Sequence, residues 1–365
     1  MIDISKCPKI ASDFEGSERK FAILYNNVVF MVKEPDPIRE KNNLLSYMNN
    51  QYSEDIGCRI FKSFDIPTQD TFLAKYTRND GKTEIVVACR DFRKPGEQLY
   101  EADKFAKSIL DSAHITRPSL NSIDNLINSI QSKMPIDENL KMRFWDTFVI
   151  DSLIGNKDRH LGNWGVLSRD RIHLHLAPVY DCGSSLGATV DDKTMQLCLD
   201  KPGIMSNVEC NIITPFLVNG KRSTYREMLM APPDDLKASI IKIVPQINLS
   251  KIKSIIEDTP SLSDSRKQFL FLSVSMRFNQ ILLKSYKKLE LENIKTMCQT
   301  ADGISALITQ ELLSGKSFYI VKRKIQPHLS GSIADKNRIF RDAINIAKKN
   351  NTVKKILDKS LSNSR

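Results

Sequence analysis

Asp158, Asn163 and Asp181 are the side chains whose types and spacing point to chemistry on a phosphoryl group. In Ile154-Gly155-Asn156-Lys157-Asp158-Arg159-His160-Leu161-Gly162-Asn163-Trp164 a helical pattern ends at a glycine, a polar loop presents Asp158, and Asn163 follows just before a strand. In Ala177-Pro178-Val179-Tyr180-Asp181-Cys182-Gly183, Asp181 follows the returning strand. An antiparallel hairpin brings the start of its first strand near the end of its second, so Asn163 and Asp181 converge. Two such oxygen donors suit magnesium, which keeps waters and phosphate oxygens as its other ligands. In phosphoryl transfer one aspartate accepts the proton of the attacking hydroxyl, while an asparagine and a second aspartate hold metal against the triphosphate. Asp158 is therefore the candidate base, and Asn163 and Asp181 are the candidate metal ligands. An aspartate after a helix is more often a turn or capping residue. The reading rests on its combination with Asp-x-Gly after a hairpin and with an upstream strand that ends in lysine.

That lysine is Lys33. Phe21-Ala22-Ile23-Leu24-Tyr25, Asn26-Asn27 and Val28-Val29-Phe30-Met31-Val32-Lys33 read as a β-hairpin. An ammonium at the strand end can reach the α and β phosphates as a point charge; taken alone, a lysine there is more often solvated. Ser53 is the expected N-cap of a helix with Glu54 and Asp55 in its first turn and Ile56, Ile60 and Phe64 as its buried stripe. Strands follow at 71–76 and 83–89 around the turn Asn79-Asp80-Gly81. Beyond Arg90 helical spacing dominates, at 98–115, 120–133 and 138–154, interrupted by a hairpin of 164–167 and 172–176. It returns at 234–289 and in most of the tail. His173 and His175 alternate on the second hairpin strand and have no third ligand in sight, so they are read as surface residues. Ser184-Ser185 fits an activation-like loop or a polar turn equally well. A small β-rich lobe followed by a larger helical lobe is the expected α+β organisation.

The two segments that carry Asp158, Asn163 and Asp181 resemble the catalytic and metal-binding segments of HipA-fold serine/threonine kinases. The likeness is closer to the compact CtkA-like members, which lack the extra N-terminal subdomain of the HipA toxin. The resemblance covers about residues 10–290 and implies a bilobal protein-kinase-like fold: an N-lobe over 1–90, a helical C-lobe over 91–290, and a basic helical extension over 291–365 without a counterpart. It implies ATP and Mg2+, a protein substrate with a Ser or Thr hydroxyl, and self-phosphorylation, with Ser12 and Ser17 as candidate sites. By the same resemblance Asp158 is the base, Asn163 and Asp181 bind metal, and Lys33 binds phosphate. Gly16 and Ser17 belong to a phosphate-covering loop with one glycine in place of the G-x-G-x-x-G of ordinary protein kinases. Glu54 orients Lys33, with Glu40 as competitor, and backbone groups of Val87, Ala88 and Cys89 meet the adenine. His160 orders the loop by hydrogen bonding or is a packed structural histidine.

The composition agrees with a large folded chain: 365 residues, 41% hydrophobic and 27% charged. No apolar run approaches the roughly 18 residues of a membrane span and no secretion signal opens the chain, so a cytoplasmic location is expected, with export by a route lacking a cleavable signal left open. Seven cysteines without Cys-x-x-Cys spacing predict reduced thiols and no zinc clip. The net charge is +11, of which +8 falls after Leu291. Such placement predicts an acidic partner of the tail, an antitoxin among the candidates, or else a solvated basic face. In the tail, Ile339, Phe340, Ala343, Ile344 and Ala347 follow helical spacing and form a face that can dock, leaving Arg338, Arg341 and Lys348 exposed. Two alternatives to a protein kinase stand: a phosphoinositide-type lipid kinase, and a toxin–antitoxin-linked regulator that acts mainly by binding. The first is weakened by the segment 183–196, which holds Lys193 against Asp191 and Asp192 where a basic loop is expected.

Overall fold

Alternation along the N-terminal strands separates two faces, and the computed structural model shows what covers each. It describes residues 1–11, 20–35, 49–109, 118–135 and 137–362. These form two compact units, Met1–Ser285 and Tyr286–Arg365.

In the first unit, β1 (Ile2–Asp3), β2 (Lys9–Ile10), β3 (Lys20–Tyr25), β4 (Val28–Lys33), β5 (Thr71–Thr77) and β6 (Thr83–Arg90) make a sheet in the order β1-β5-β6-β4-β3-β2. The β3–β4 hairpin turns at Asn26 and Asn27, both at positive φ (49° and 59°), as a two-residue turn matched to strand twist requires. One face of the sheet buries Ile23, Val32, Ala74, Val86 and Ala88; the other carries Leu73, Val87 and Cys89 with Met31, and Tyr52 packs there. Tyr52 comes from α1 (Asn50–Lys62). Lys33 lies directly opposite Val87, so it points to the face that α1 covers.

The helix does not begin at Ser53. Its N-cap is Asn49, Ser53 is buried within it, and Phe64 lies beyond its end. The expected first-turn acids have tertiary duties instead: Glu54 meets Lys33, while Asp55 accepts from Thr71 Oγ1 at 2.9 Å and pairs with Arg59 at 3.0 Å.

The segment 98–115 is also corrected, because its first residues form β7 (Gln98–Glu101), followed by α2 (Ala102–Ile109). β7 pairs with β8 (Gly165–Ser168), which in turn pairs with β9 (His175–Leu176). The expected strand from 172 shrinks to His175–Leu176. Asp170 accepts from the backbone N–H groups of Ile172 and His173, both at 2.9 Å, and this tight turn keeps them out of the ladder. His173 pairs with Asp170 and His175 lies near Glu138, so the two histidines do not share a strand face, although both are exposed.

α3 (Leu120–Gln131), capped by Ser119, and α4 (Leu140–Ile154), capped by Asn139, follow the expected periodicity. Between the metal-loop segment and residue 225 the structure adds α5 (Asp192–Asp200), α6 (Pro202–Cys210) and a hairpin of β10 (Ile213–Val218) and β11 (Lys221–Thr224). The hairpin turns at Asn219-Gly220, a strong two-residue turn signal. α7 (Tyr225–Met230), α8 (Asp234–Ile243), α9 (Leu249–Glu257) and α10 (Asp264–Arg277) complete the helical part of this unit.

The second unit has a core of its own. After α11 (Leu283–Met297), α12 (Ala301–Leu313), α13 (Phe318–Ile325), α14 (Ile333–Ala347) and α15 (Asn351–Ser362) bury Ile304, Ile308, Val321, Ala343, Val353 and Leu357 together. The apolar face of α14 is therefore consumed internally: Phe340, Ala343 and Ala347 are buried, with Ile339 and Ile344 packed against that core. It is not a free docking face.

Gly155 shows how closely α4 is tied to its surroundings. It ends the helix at φ 68°, and a Cβ there would lie 2.8 Å from Ile212 and 2.9 Å from Arg277. Gly155→Ala combines a left-handed backbone penalty of roughly 1–2 kcal/mol with this crowding. It should lower the urea midpoint of unfolding by more than an Ala substitution at exposed Gly203, which has open space around it.

Candidate active site

Lys33, at the end of β4, is buried, and its Nζ donates to Glu54 Oε2 at 2.9 Å and to Asp181 Oδ1 at 2.8 Å. One ammonium thus joins a sheet strand, the covering helix and the loop after β9. Glu54 is the orienting acid of the two considered, since Glu40 lies outside the described residues, as do Gly16, Ser17 and Ser12. The second oxygen of Glu54 accepts from the backbone N–H of Cys182 at 2.9 Å. This close docking needs Gly57 on α1, where a Cβ would lie 2.7 Å from Cys182 Cβ.

Asp181 sits at φ 57°, a conformation uncommon for a residue other than glycine, with its side chain 31% exposed. Burial opposes its ionisation, yet the Lys33 ammonium beside it outweighs burial and holds the carboxyl below its usual range. Asp158 behaves in the opposite sense. Burial raises its pKa, assisted by the nearby Asp181 and opposed by His160. Its carboxylate, 46% exposed, also accepts from Ser184 Oγ at 3.4 Å, so a serine hydroxyl can approach it.

Asn163 Nδ2 donates to the backbone carbonyl of Asp158 at 2.7 Å, which leaves Oδ1 as its oxygen for a cation. That hard amide oxygen and the Asp181 carboxylate form a donor set that fits Mg2+. Among the described residues, Glu54, Cys58 and Cys182 also lie close enough to share an ion. Hydrogen bonding to Cys182 and burial raise the Cys58 thiol well above its ordinary pKa, and Glu54 is already spent on Lys33, so this cluster is a poor metal site.

Arg159 is the functional residue that sequence reasoning missed. Fully enclosed, it donates Nε to Asp151 Oδ2 at 2.9 Å and Nη2 to Asp151 Oδ1 at 3.2 Å. Its Nη1 bonds the carbonyls of Asn163, at 2.8 Å, and Tyr180. Burial alone would lower its pKa, but Asp151 reverses this and raises it well above the ordinary value. One guanidinium therefore ties the residue after Asp158 to Asn163 and to the residue before Asp181. The available signal was Asp151 itself, a carboxylate between the apolar residues Ile150 and Leu153 near the end of α4. Asn156 adds a second tie: its Nδ2 donates to Asp151 Oδ1 at 3.0 Å, and its Oδ1 accepts from Asp158 N–H at 3.1 Å.

Of the two readings of His160 the structure shows the hydrogen-bonding one, and the expectation for Val87, Ala88 and Cys89 changes. His160 is not a packed histidine. Its half-exposed ring accepts from Gly162 N–H at 3.0 Å and caps the short turn Leu161–Asn163. Val87, Ala88 and Cys89 lie in the sheet interior, paired with both β4 and β5, so their backbone polar groups are committed to the ladders. Asp91 N–H is bonded to Val29 O at 2.9 Å, so the first residue after the strand is committed as well.

A buried lysine paired with a helix carboxylate, facing two loops that bring together an aspartate, an asparagine and a second aspartate, defines a protein-kinase-like phosphotransferase site. Residues 16–212 match the family of HipA-like C-terminal domains. Over 290 residues the chain is 32% identical to the serine/threonine-protein kinase CtkA of Helicobacter pylori strain J99, covering 77% of this chain and 86% of CtkA. A crystal structure of a H. pylori proinflammatory kinase CtkA superposes with TM-score 0.67 and 29% identity, covering 79% of this chain and 98% of that one. A complex of HipA, HipB and operator DNA from Shewanella oneidensis MR-1 matches at 13% identity and TM-score 0.49, over 77% and 67% of the two chains. The chain belongs to the HipA-like family and is a serine/threonine-protein kinase of the HipA/CtkA type, with the bilobal fold of that class. The lipid-kinase alternative falls away. No helix among the described residues is long and apolar enough to cross a membrane.

The opposed pKa directions carry a stability consequence. The fold raises the pKa of Asp158, so its contribution is full below the unfolded pKa and is lost as pH rises through the folded value. At neutral pH the ionised carboxylate thus weighs against folding. Asp158→Asn should unfold at higher denaturant than wild type at pH 7, and the difference should close as pH falls below about 4. Parallel urea titrations at the two pH values check this.

Proposed function

We propose that the chain transfers the γ-phosphoryl group of ATP, with Mg2+, to Ser or Thr hydroxyls of a protein and of itself. The observation that supports this best is the Lys33 ammonium held between Glu54 and Asp181, within one site with Asp158 and Asn163. Glu54 fixes Lys33 so that its charge can meet the α and β phosphates. Asn163 Oδ1 and Asp181 would hold the metal, which supplies charge neutralisation of the triphosphate when bound. Asp158 accepts the proton of the incoming hydroxyl as its oxygen attacks phosphorus and ADP departs. Its raised pKa brings it closer to the proton affinity that this role favours.

Residues 1–90 then serve as the nucleotide lobe, with Gly16 and Ser17 covering the phosphates, and residues 91–290 as the catalytic lobe. The extension 291–365, with its net +8, is assigned to an acidic partner, for which a proteinaceous antitoxin is one candidate. A cytoplasmic site of action accords with this reading.

Asp158→Asn should lower phosphate transfer by about 100-fold or more while nucleotide binding persists. Asp181→Asn should instead weaken Mg2+-dependent ATP binding measured by calorimetry. Transfer at wild-type rate in the first variant, or unchanged affinity in the second, would remove that residue from its role.

Self-phosphorylation is expected at Ser12 or Ser17. A phosphate there adds nearly two negative charges that compete with ATP for Lys33, so modified protein should bind ATP more weakly. Intact-mass measurement with site mapping after incubation with ATP and Mg2+ decides the matter, and phosphate found only after residue 290 would exclude these sites.

A further inference from the structure

The main chain of Asp158 is fixed from two sides: its N–H donates to Asn156 Oδ1 at 3.1 Å, and its carbonyl accepts from Asn163 Nδ2 at 2.7 Å. Its carboxylate is less constrained. The terminal torsion of an aspartate has broad wells, so a fixed backbone does not decide which way the two oxygens of this half-exposed group face. The Arg159 guanidinium is engaged by Asp151, and His160 Nε2 stands 3.9 Å from Oδ1, beyond hydrogen-bond distance. Among the described residues, the hydrogen bond to the carboxylate comes from Ser184, whose Oγ lies 3.4 Å from Oδ2. Contacts to a general base are often this long until substrate tightens them.

Ser184 is presented by a firmly held segment. Before it, the N–H of Cys182 donates to Glu54 Oε1 at 2.9 Å. After it, buried Ser185 donates both its N–H, at 3.1 Å, and its Oγ, at 2.7 Å, to the Cys182 carbonyl, and Leu186 N–H donates at 2.9 Å to the carbonyl of Ile154 at the end of α4. Farther along, Thr189 Oγ1 accepts from Lys157 Nζ at 2.9 Å. Two hydroxyls of one segment therefore touch two successive residues of the catalytic loop, Lys157 and Asp158. The neighbouring serines differ in what they do. Ser185 closes a local turn, whereas Ser184 reaches across the site to the carboxylate.

We propose that Ser184 is a positioning residue for phosphate transfer: by holding Oδ2 of Asp158 it turns Oδ1 toward the incoming hydroxyl. The inference rests on the assignment of Asp158 as the base. A base acts from within about 2.6–3.2 Å of the atom whose proton it takes, and a misplacement of about 1 Å can cost on the order of 100-fold. A hydroxyl that fixes the rotation of the carboxylate thus acts on the rate without touching nucleotide or acceptor. The segment that bears Ser184 also bears Asp181, which Lys33 holds. Docking of that one segment then sets a metal donor and the base together.

The test is a double-mutant cycle on the full chain, with transfer from γ-labelled ATP and Mg2+ to β-casein as the readout and ATP concentration varied. Ser184→Ala should lower kcat by about fivefold, the scale of one hydrogen bond to a charged group, and leave KM for ATP within about twofold. Ser184→Thr, which keeps the hydroxyl, should recover most of the lost rate. In the Asp158→Asn background, where no carboxylate remains to be oriented, Ser184→Ala should cause no further loss. Circular dichroism establishes that each variant is folded. An unchanged kcat in Ser184→Ala, or the same loss with and without Asp158, would overturn the proposal, the second result marking a purely structural serine. Phosphate mapped to Ser184 itself by mass spectrometry would also overturn it, by making the residue an acceptor. Wild-type protein that labels neither β-casein nor itself would instead bring down the phosphotransfer reading, and this inference with it.

Discussion

A buried ammonium must be neutralised, and the way Lys33 meets that demand organises the site. Breaking a buried pair by removing one partner typically costs about 3–5 kcal/mol, so the fold cannot readily let Glu54 or Asp181 drift from it. Glu54 is carried by α1 and Asp181 by the loop after β9, while Lys33 itself ends β4. Three elements far apart in the chain are thereby brought to one point. In the proposed function, the Lys33–Asp181 contact is where triphosphate and metal would enter.

A second buried cation does the equivalent for the loops. Arg159 follows Asp158 directly and bonds the backbone carbonyls of Asn163 and Tyr180, so Asp158, Asn163 and the residue before Asp181 share one anchor. Backbone carbonyls require no particular side chain, and the anchor holds the loops whatever their flanking residues are. Its charge is balanced by Asp151 from within α4. The two cations thus have complementary roles. Lys33 joins sheet, helix and metal loop, and Arg159 joins the catalytic loop to the metal loop through the helical lobe.

The second unit follows a different logic. Its helices bury their apolar faces on one another, and its charge is left on the outside, with Lys322, Arg323, Arg338 and Arg341 exposed. This unit has a hydrophobic core of its own, as a domain does. Its basic surface is a separate property, set by charge placement.

The features legible from the residues alone are local ones. The Asn26-Asn27 turn, the helical spacing at 120–133 and 138–154, and the strand-ending Lys33 follow from short-range sterics and hydrogen bonding that need no distant partner. The spacing of Asp158, Asn163 and Asp181 was legible for the same reason, because a hairpin of known geometry lies between them. The remainder depended on contacts between distant parts of the chain. Ser53 looked like a cap because Glu54 and Asp55 looked like first-turn acids, and their actual partners, Lys33, Thr71 and Arg59, could be assigned only once the chain had folded. Gln98-Leu99-Tyr100-Glu101 became a strand because the edge of β8 offered it hydrogen bonds. Arg159 acquired its role because Asp151, Asn163 and Tyr180 converge on it, and burial makes each of those contacts decisive: in a medium that solvates charge poorly, a guanidinium must find partners, and only the assembled fold determines which ones are within reach.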